Sequence, residues 1–277
     1  MKRTALLVVV VAGALMIAST ADFPSWGDAN SPASLNVSRR YIEKALEETA
    51  TPNIVTAVLA DYRGFDTLLE TVVVFTAALA CFLILRRPPI ECVPERYHYR
   101  HISTGLVIRK RNKAHLPEKE ADFERIDSDW TPSDIVVVTI CRIIIPFLQI
   151  YALYVLAHGH YSPGGGFQGG VIFAASYVLL AISENLRTML ARLTERAMHL
   201  LVVSGVMIYF GVGLLALNTG ASFMDYGGLS GILGMSLASG HSLGILLVET
   251  GVAITVTTAL VTIYSLLSSN GTVTEGL

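Results

Sequence analysis

The chain has 277 residues, of which 52% are hydrophobic and 15% charged, with a formal net charge of -2 at pH 7. That is more apolar surface than a soluble core of this length can hide, which excludes an ordinary water-soluble globule. A charge balance so near zero gives no reason to expect a nucleic-acid partner.

Windows of about 19 apolar residues mark helices that cross a hydrocarbon layer roughly 30 Å thick. Six occur, near residues 5–21, 67–85, 135–157, 167–183, 198–218 and 241–267. The expected fold is an all-α integral membrane protein with about six transmembrane helices. The first window has a rival reading, because Lys2-Arg3, an apolar run and Ser19-Thr20-Ala21 also fit a cleavable secretory signal. The reading adopted keeps it as a span.

Residues 22–53 are polar, and Ser38 to Thr49 suit an exposed helix. Asp61, Arg63, Asp66 and Glu70 follow, at the mouth of the second span. Asp66 and Glu70 share a helical face, and Arg63 lies one turn before Asp66 to offset their repulsion. Such a group either collects cations or holds a helix start by ion pairing. Residues 88–130 are charged with mixed signs, and residues 102–108 form the one apolar patch there. A linker with a short hairpin is expected. The organisation is thus 1–87 as a two-helix module, 88–130 as a cytoplasmic linker and 131–277 as a four-helix domain.

In the third span Arg142 lies about 10 Å deep, seven residues in. A long stem can snorkel from there, and a carboxylate on another helix or subunit is the expected partner. Pro146 removes a helical hydrogen bond close by, with Gln149 a turn further on. Next comes His158-Gly159-His160-Tyr-Ser-Pro163-Gly164-Gly165-Gly166-Phe167-Gln-Gly169-Gly170, with five glycines in its last seven residues. Lying between apolar runs, it reads as a tight reversal between two buried helices. Gly165 with Gly169 and Gly166 with Gly170 are spaced so that helix backbones can approach closely. Pro163 suits the first turn of the next helix. The two histidines make a poor metal site without further ligands, so no metal is assigned.

Glu249 is the most informative residue of the last span. It lies eight residues in, about 12 Å deep. Ser242 falls on the same face, and His241 is offset by about 80°. A carboxylate at that depth costs several kcal/mol, so it reads as part of an ion pathway or as a hydrogen-bonding group that packs helices. The ion-pathway candidates are therefore Glu249, Glu70, Asp66, Asp61, Arg142 and His241. Cys81, Cys92 and Cys141 show no metal or redox spacing.

Fifteen of the twenty Lys and Arg fall between Arg86 and Arg125, between the fourth and fifth spans, or at Lys2-Arg3. With six spans these lie on one side, which the positive-inside rule makes the cytoplasm. Both termini are then cytoplasmic and the glycine reversal faces outward.

The pattern GHxxPGGGFxGG at Gly159 to Gly170, with Arg142 and Pro146 before it and His241 to Glu249 after it, resembles the MnhB-type B subunit of multisubunit Mrp cation/proton antiporters. Residues 1–87, with Arg63-Gly-Phe-Asp66-Thr and Glu70, resemble the end of the large Mrp A-type subunit, or the E-type subunit of membrane-bound hydrogenases. The chain looks like a fusion of the two. The resemblance implies an accessory subunit, not an enzyme, in a cell-membrane complex that exports Na+ in exchange for H+, without a cofactor. Implied partners are the lipid bilayer, large antiporter-like subunits and small hydrophobic ones. Residue by residue, it extends to Pro163, Phe167, Glu249, Asp66 and Glu70. The carboxylates would be alternately protonated or sodium-bound. Two other classes fit: the same module in a related hydrogenase or sulfane reductase complex, and a scaffold with no ion path.

Overall fold

A computed structural model describes residues 2–86, 97–110, 122–126, 135–269 and 271. They fall into two compact units, residues 1–45 and 46–277. In the first unit α1 (Lys2–Ser19) forms from an unbroken Leu, Val and Ala run whose large side chains are all exposed. A helix apolar all round suits lipid or another protein as its surroundings. A π-helical turn, Ala33–Val37, leads into α2 (Ser38–Thr49), whose last residues belong to the second unit. This is the exposed helix expected from its polar face.

The second unit continues with α3 (Ile54–Thr56), started by Asn53, whose side chain accepts from the Val55 amide. The chain then widens into a π-helical turn, Ala57–Tyr62, and after Arg63 resumes as α4 (Gly64–Leu85). The later helices are α5 (Ile135–Ala157), α6 (Gly166–Ser183), α7 (Leu186–Arg192), α8 (Glu195–Asn218), α9 (Leu229–Leu233) and α10 (Leu237–Ser268). Six helices of the described residues, α1, α4, α5, α6, α8 and α10, are long and apolar enough to cross a membrane. α8 and α10 start three or four residues before their apolar windows because Thr194 and Ser236 cap them, accepting from Ala197 N and Ser239 N.

The all-α membrane part is as expected, and the hairpin expected in the linker is joined by a third strand. Strands β1 (Tyr97–His101), β2 (Val107–Lys110) and β3 (Phe123–Ile126) form an antiparallel sheet of order β2-β1-β3. Tyr99 pairs with Ile108 on one side and Arg125 on the other. The four residues of β3 are too few for a readable alternation. Much of 88–130, Cys92 included, lies outside the described residues.

α10 is the central helix of this unit, packed on α8, α6 and α4. Seventeen of its 32 residues are buried, mostly Gly, Ala, Thr, Ser and Val, so it meets its neighbours through backbone and small side chains. At the crossing with α8 two glycines face each other. A methyl group on Gly205 would lie 2.5 Å from the Gly251 carbonyl oxygen, and one on Gly251 would lie 2.6 Å from that of Gly205. Gly170 brings α6 equally close, since a methyl there would be 2.9 Å from the Ala253 oxygen. Of these three glycines only Gly170 belongs to a pair picked out by its spacing. The expectation of two buried helices around the reversal is not met: α5 buries only Ile145, Ala152 and Val155. Its remaining apolar surface faces outward, where lipid or a partner would cover it.

Gly205→Ala should lower the thermal stability of the purified protein by about 1–3 kcal/mol, the usual cost of overpacking. Gly211→Ala, where a methyl group meets nothing within 4 Å, should leave the melting temperature near wild type.

Candidate ion site at Glu249

Glu249 stands on the first half of α10, 8% exposed, and its Oε2 has no hydrogen-bond partner among the described residues. An ionised carboxylate so placed costs several kcal/mol unless a proton or a cation accompanies it. The glycine reversal forms the wall around it. A methyl group on Gly159 would lie 2.8 Å from Oε2, and one on Gly165 would lie 2.7 Å from Oε1. At Gly166 it would overlap the Glu249 carbonyl itself. Gly165 also has φ +134°, a conformation that side chains disfavour. The amide groups at the start of α6, which have no intrahelical partner, thus begin beside the carboxylate.

The reversal is pinned from two sides. The Asn53 side-chain amide donates to the carbonyls of Gly159 at 2.8 Å and Ser162 at 2.7 Å, and its backbone amide donates to His160 O at 2.9 Å. Thr56 Oγ1 donates to Gly159 O at 2.7 Å. From the other side, His160 Nε2 donates to the Ser242 carbonyl of α10 at 3.0 Å. Pro163 is not in the first helical turn as expected, because α6 starts three residues later, at Gly166. The positive φ of Gly165 delays that start.

Beside Glu249 lies a cavity of about 280 Å³. Its polar lining includes Thr56, Thr67, Glu70, Gln168 and Tyr209, and Phe167 and Gly164 also reach it. Glu70 therefore faces the same space as Glu249. The other sequence candidates fall elsewhere. Asp66 is exposed and paired with Arg63 at 2.5 Å. Asp61 is bound to His241 Nδ1 at 2.7 Å, and Asp225 lies 3.9 Å from Nε2. Arg142 meets Glu184 at 3.0 Å, at the end of α5 and α6 away from the reversal. Glu184 is the residue that follows α6, and the pair does not approach Glu249. Gln149 Nε2 donates to Ser176 at 3.3 Å.

Sequence reasoning missed Asn53, Thr56 and Tyr209. Asn53 carried a signal, as a helix-capping residue ahead of an apolar stretch. Tyr209 sits inside an apolar span and carried none. Outside the spans, burial pushes the hydroxyl of Tyr226 above its ordinary pKa, so it stays neutral.

These features define a multi-span membrane protein with a buried carboxylate enclosed by a glycine reversal and open to a small cavity. Residues 136–262 match the family described as a domain related to the MnhB subunit of Na+/H+ antiporter, and residues 1–98 match MbhE, the family of the E-type MBH subunit. The protein named putative antiporter subunit mnhB2 in Staphylococcus haemolyticus is 32% identical over 136 residues, covering 46% of this chain and 94% of that one. The chain belongs to the MnhB family. The probable K(+)/H(+) antiporter A/B-type subunit of Rhizobium meliloti is 26% identical over 70% of this chain, which spans only 18% of that protein's length. Among solved structures, a chain of the archaeal membrane-bound sulfane sulfur reductase aligns with a TM-score of 0.66 and 25% identity, over 96% of this chain and 97% of that one. A chain of the Mrp complex from Dietzia sp. DQ12-45-1b shares the fold, with a TM-score of 0.56 and 24% identity, over 95% of this chain and 26% of that one.

Replacing Asn53 by Ala strips donors from two carbonyls of the reversal, a loss of about 1–3 kcal/mol. Hydrogen exchange at the Tyr161 and Ser162 amides, both bonded to His158 O, should accelerate severalfold while that of the α8 amides stays unchanged.

Proposed function

We propose that this chain is a membrane subunit of a multisubunit cation/proton antiporter, in which the Glu249 cavity is a station where Na+ and H+ exchange. The observation that carries this reading is the buried carboxylate without a partner, facing a cavity that holds a second carboxylate, Glu70. A proton and a sodium ion each neutralise such a site, so binding of one displaces the other. That competition is the minimum an antiporter needs. Hard cations take oxygen ligands, and the cavity offers carboxylates, hydroxyls and the Gln168 amide. Within this reading the chain performs no chemical conversion and needs no cofactor, since Na+ and H+ are cargo.

The distribution of Lys and Arg supports both termini on the cytoplasmic side of the cell membrane, with the reversal and the start of α10 outside. The large exposed apolar side chains of α1 and α5 supply surface for lipid and for neighbouring subunits, antiporter-like and small hydrophobic ones. We place the division between an E-type part and an MnhB part at about residue 87, a reading supported by family matches to residues 1–98 and 136–262.

One observation favours a second reading. The end-to-end alignment with a chain of the sulfane sulfur reductase means that the same fused arrangement exists in a redox-driven complex. The ion-exchanging role of Glu249 would be unchanged there, with redox chemistry in place of an ion gradient as the driving force. Iron co-purifying with the native complex at several atoms per copy of this chain would select that reading.

In inverted membrane vesicles Glu249→Gln should reduce sodium-driven pH change at least tenfold, read with a pH-sensitive dye, while the other subunits still co-purify. Undiminished exchange by an assembled Glu249→Gln complex would exclude the role given to this residue, and loss of assembly would favour a scaffold.

A further inference from the structure

The Asp61–His241 pair takes no part in the Glu249 cavity, yet two buried tyrosines, Tyr226 beside His241 and Tyr209 at the cavity, lie between them. His241 lies eight residues before Glu249, about 12 Å along α10. It and Asp61 are 14% and 16% exposed, while Asp225, 3.9 Å from Nε2, is 48% exposed and opens the pair to the surroundings. Tyr226 is fully buried, its ring edge-on to His241 with centroids 6.4 Å apart. It rests directly on α10, where a methyl group on Gly244 would come within 2.5 Å of the Tyr226 Cβ.

The Tyr226 hydroxyl donates to Ala60 O at 3.0 Å, and that of Tyr209, also fully buried, donates to Gly64 O at 2.8 Å. Both hydroxyls converge on Gly64, where an added methyl group would lie 3.3 Å from one and 3.7 Å from the other. They interact with each other, and Tyr209 interacts with Thr67. Tyr209 and Thr67 both line the Glu249 cavity. Phenylalanine would fill the same space at either position, so two hydroxyls meeting at one point ask for a polar role.

We propose that Asp225, His241 and Asp61 with the hydroxyls of Tyr226 and Tyr209 form a proton relay between the reversal side of the protein and the Glu249 cavity. A proton taken up at His241 Nε2, facing Asp225, releases the Nδ1 proton to Asp61. Asp61 passes a proton to the Tyr226 oxygen, which gives up its own to Tyr209. Tyr209 in turn releases its own proton to the cavity, where the Glu249 carboxylate accepts it. Each hydroxyl gains one proton and loses one, so no tyrosinate accumulates, and rotation of the hydroxyls resets the line. The two fully buried rings leave no room for a hydrated cation. The proton therefore has its own route, separate from the one sodium takes to the same cavity.

The relay rests on Glu249 being the exchange site, and the test separates the two ideas. Tyr226→Phe, Tyr209→Phe, His241→Gln and Glu249→Gln are each placed in the whole complex and assayed in inverted vesicles across pH. Each Phe variant should lose about tenfold or more of the proton flux, as loss of a positioned proton carrier does, with all subunits retained. His241→Gln should also change the pH profile, which is set by His241 together with the groups that face it, Asp61, Asp225 and Tyr226. Should Glu249→Gln be inactive while both Phe variants keep more than half the wild-type flux, the relay is wrong and the site stands. Wild-type flux in Glu249→Gln overturns the site and the relay with it. If one Phe variant fails to assemble, the other and the His241→Gln pH profile decide.

Discussion

The tightest constraint in the structure is the contact between Gly166 and the Glu249 carbonyl, where α6 begins against the backbone of α10. A side chain of any size at Gly166 would push the two helices apart and open the site to lipid. Because the backbones touch there, the Glu249 carboxylate is held against the neighbouring loop, which is glycine at 159 and 165 where it comes closest. The glycines bring little polarity of their own. They confine a carboxylate to a narrow space, with the free amide groups of a helix start on one side and a cavity on the other.

The remaining charges make this confinement more telling. Arg63 pairs with Asp66, Arg142 with Glu184, Arg86 with Glu195 at 2.8 Å, and His241 with Asp61. Each pair is local and lies toward an end of its helices, where snorkelling or solvent shares the cost of the charge. Glu249 and Glu70 have no such cation among the described residues. With these four pairs closed, Glu249 and Glu70 face one cavity without a paired cation, which is the arrangement the proposed exchange of Na+ and H+ calls for.

The spans were legible because lipid imposes a simple rule on composition, and Glu249 stood out because it breaks that rule. Their starts were less legible, since caps such as Thr194 and Ser236 are polar and lie outside the apolar windows. The acidic group at Asp61, Asp66 and Glu70 looked like one unit in sequence, and helical spacing supported that view. The π-helical turn at Ala57–Tyr62 and the break at Arg63 turn Asp61 toward α10, leave Asp66 with Arg63 and point Glu70 at the cavity. No periodicity rule anticipates a wide turn. Tyr209 was unreadable for another reason: an aromatic residue in an apolar stretch looks like packing until its hydroxyl is seen to meet a carbonyl 145 residues away, and Tyr226, in a Gly-rich connection, gave no more sign of its carbonyl 166 residues away.

The clamp on the reversal bears on why two parts matched by different families share one chain. The carbonyls of Gly159, His160 and Ser162 receive their donors from Asn53 and Thr56, which belong to the part matched by the E-type family. Carbonyls withdrawn from water and left without donors cost more than the bonds themselves contribute. An MnhB domain on its own would carry that penalty at the wall of its carboxylate site. The Staphylococcus haemolyticus mnhB2 protein, covered to 94% by an alignment of only 136 residues, has no length left for such a clamp within its own chain. With both parts in one chain, the contact between clamp and reversal is intramolecular, and site and clamp stand at one to one.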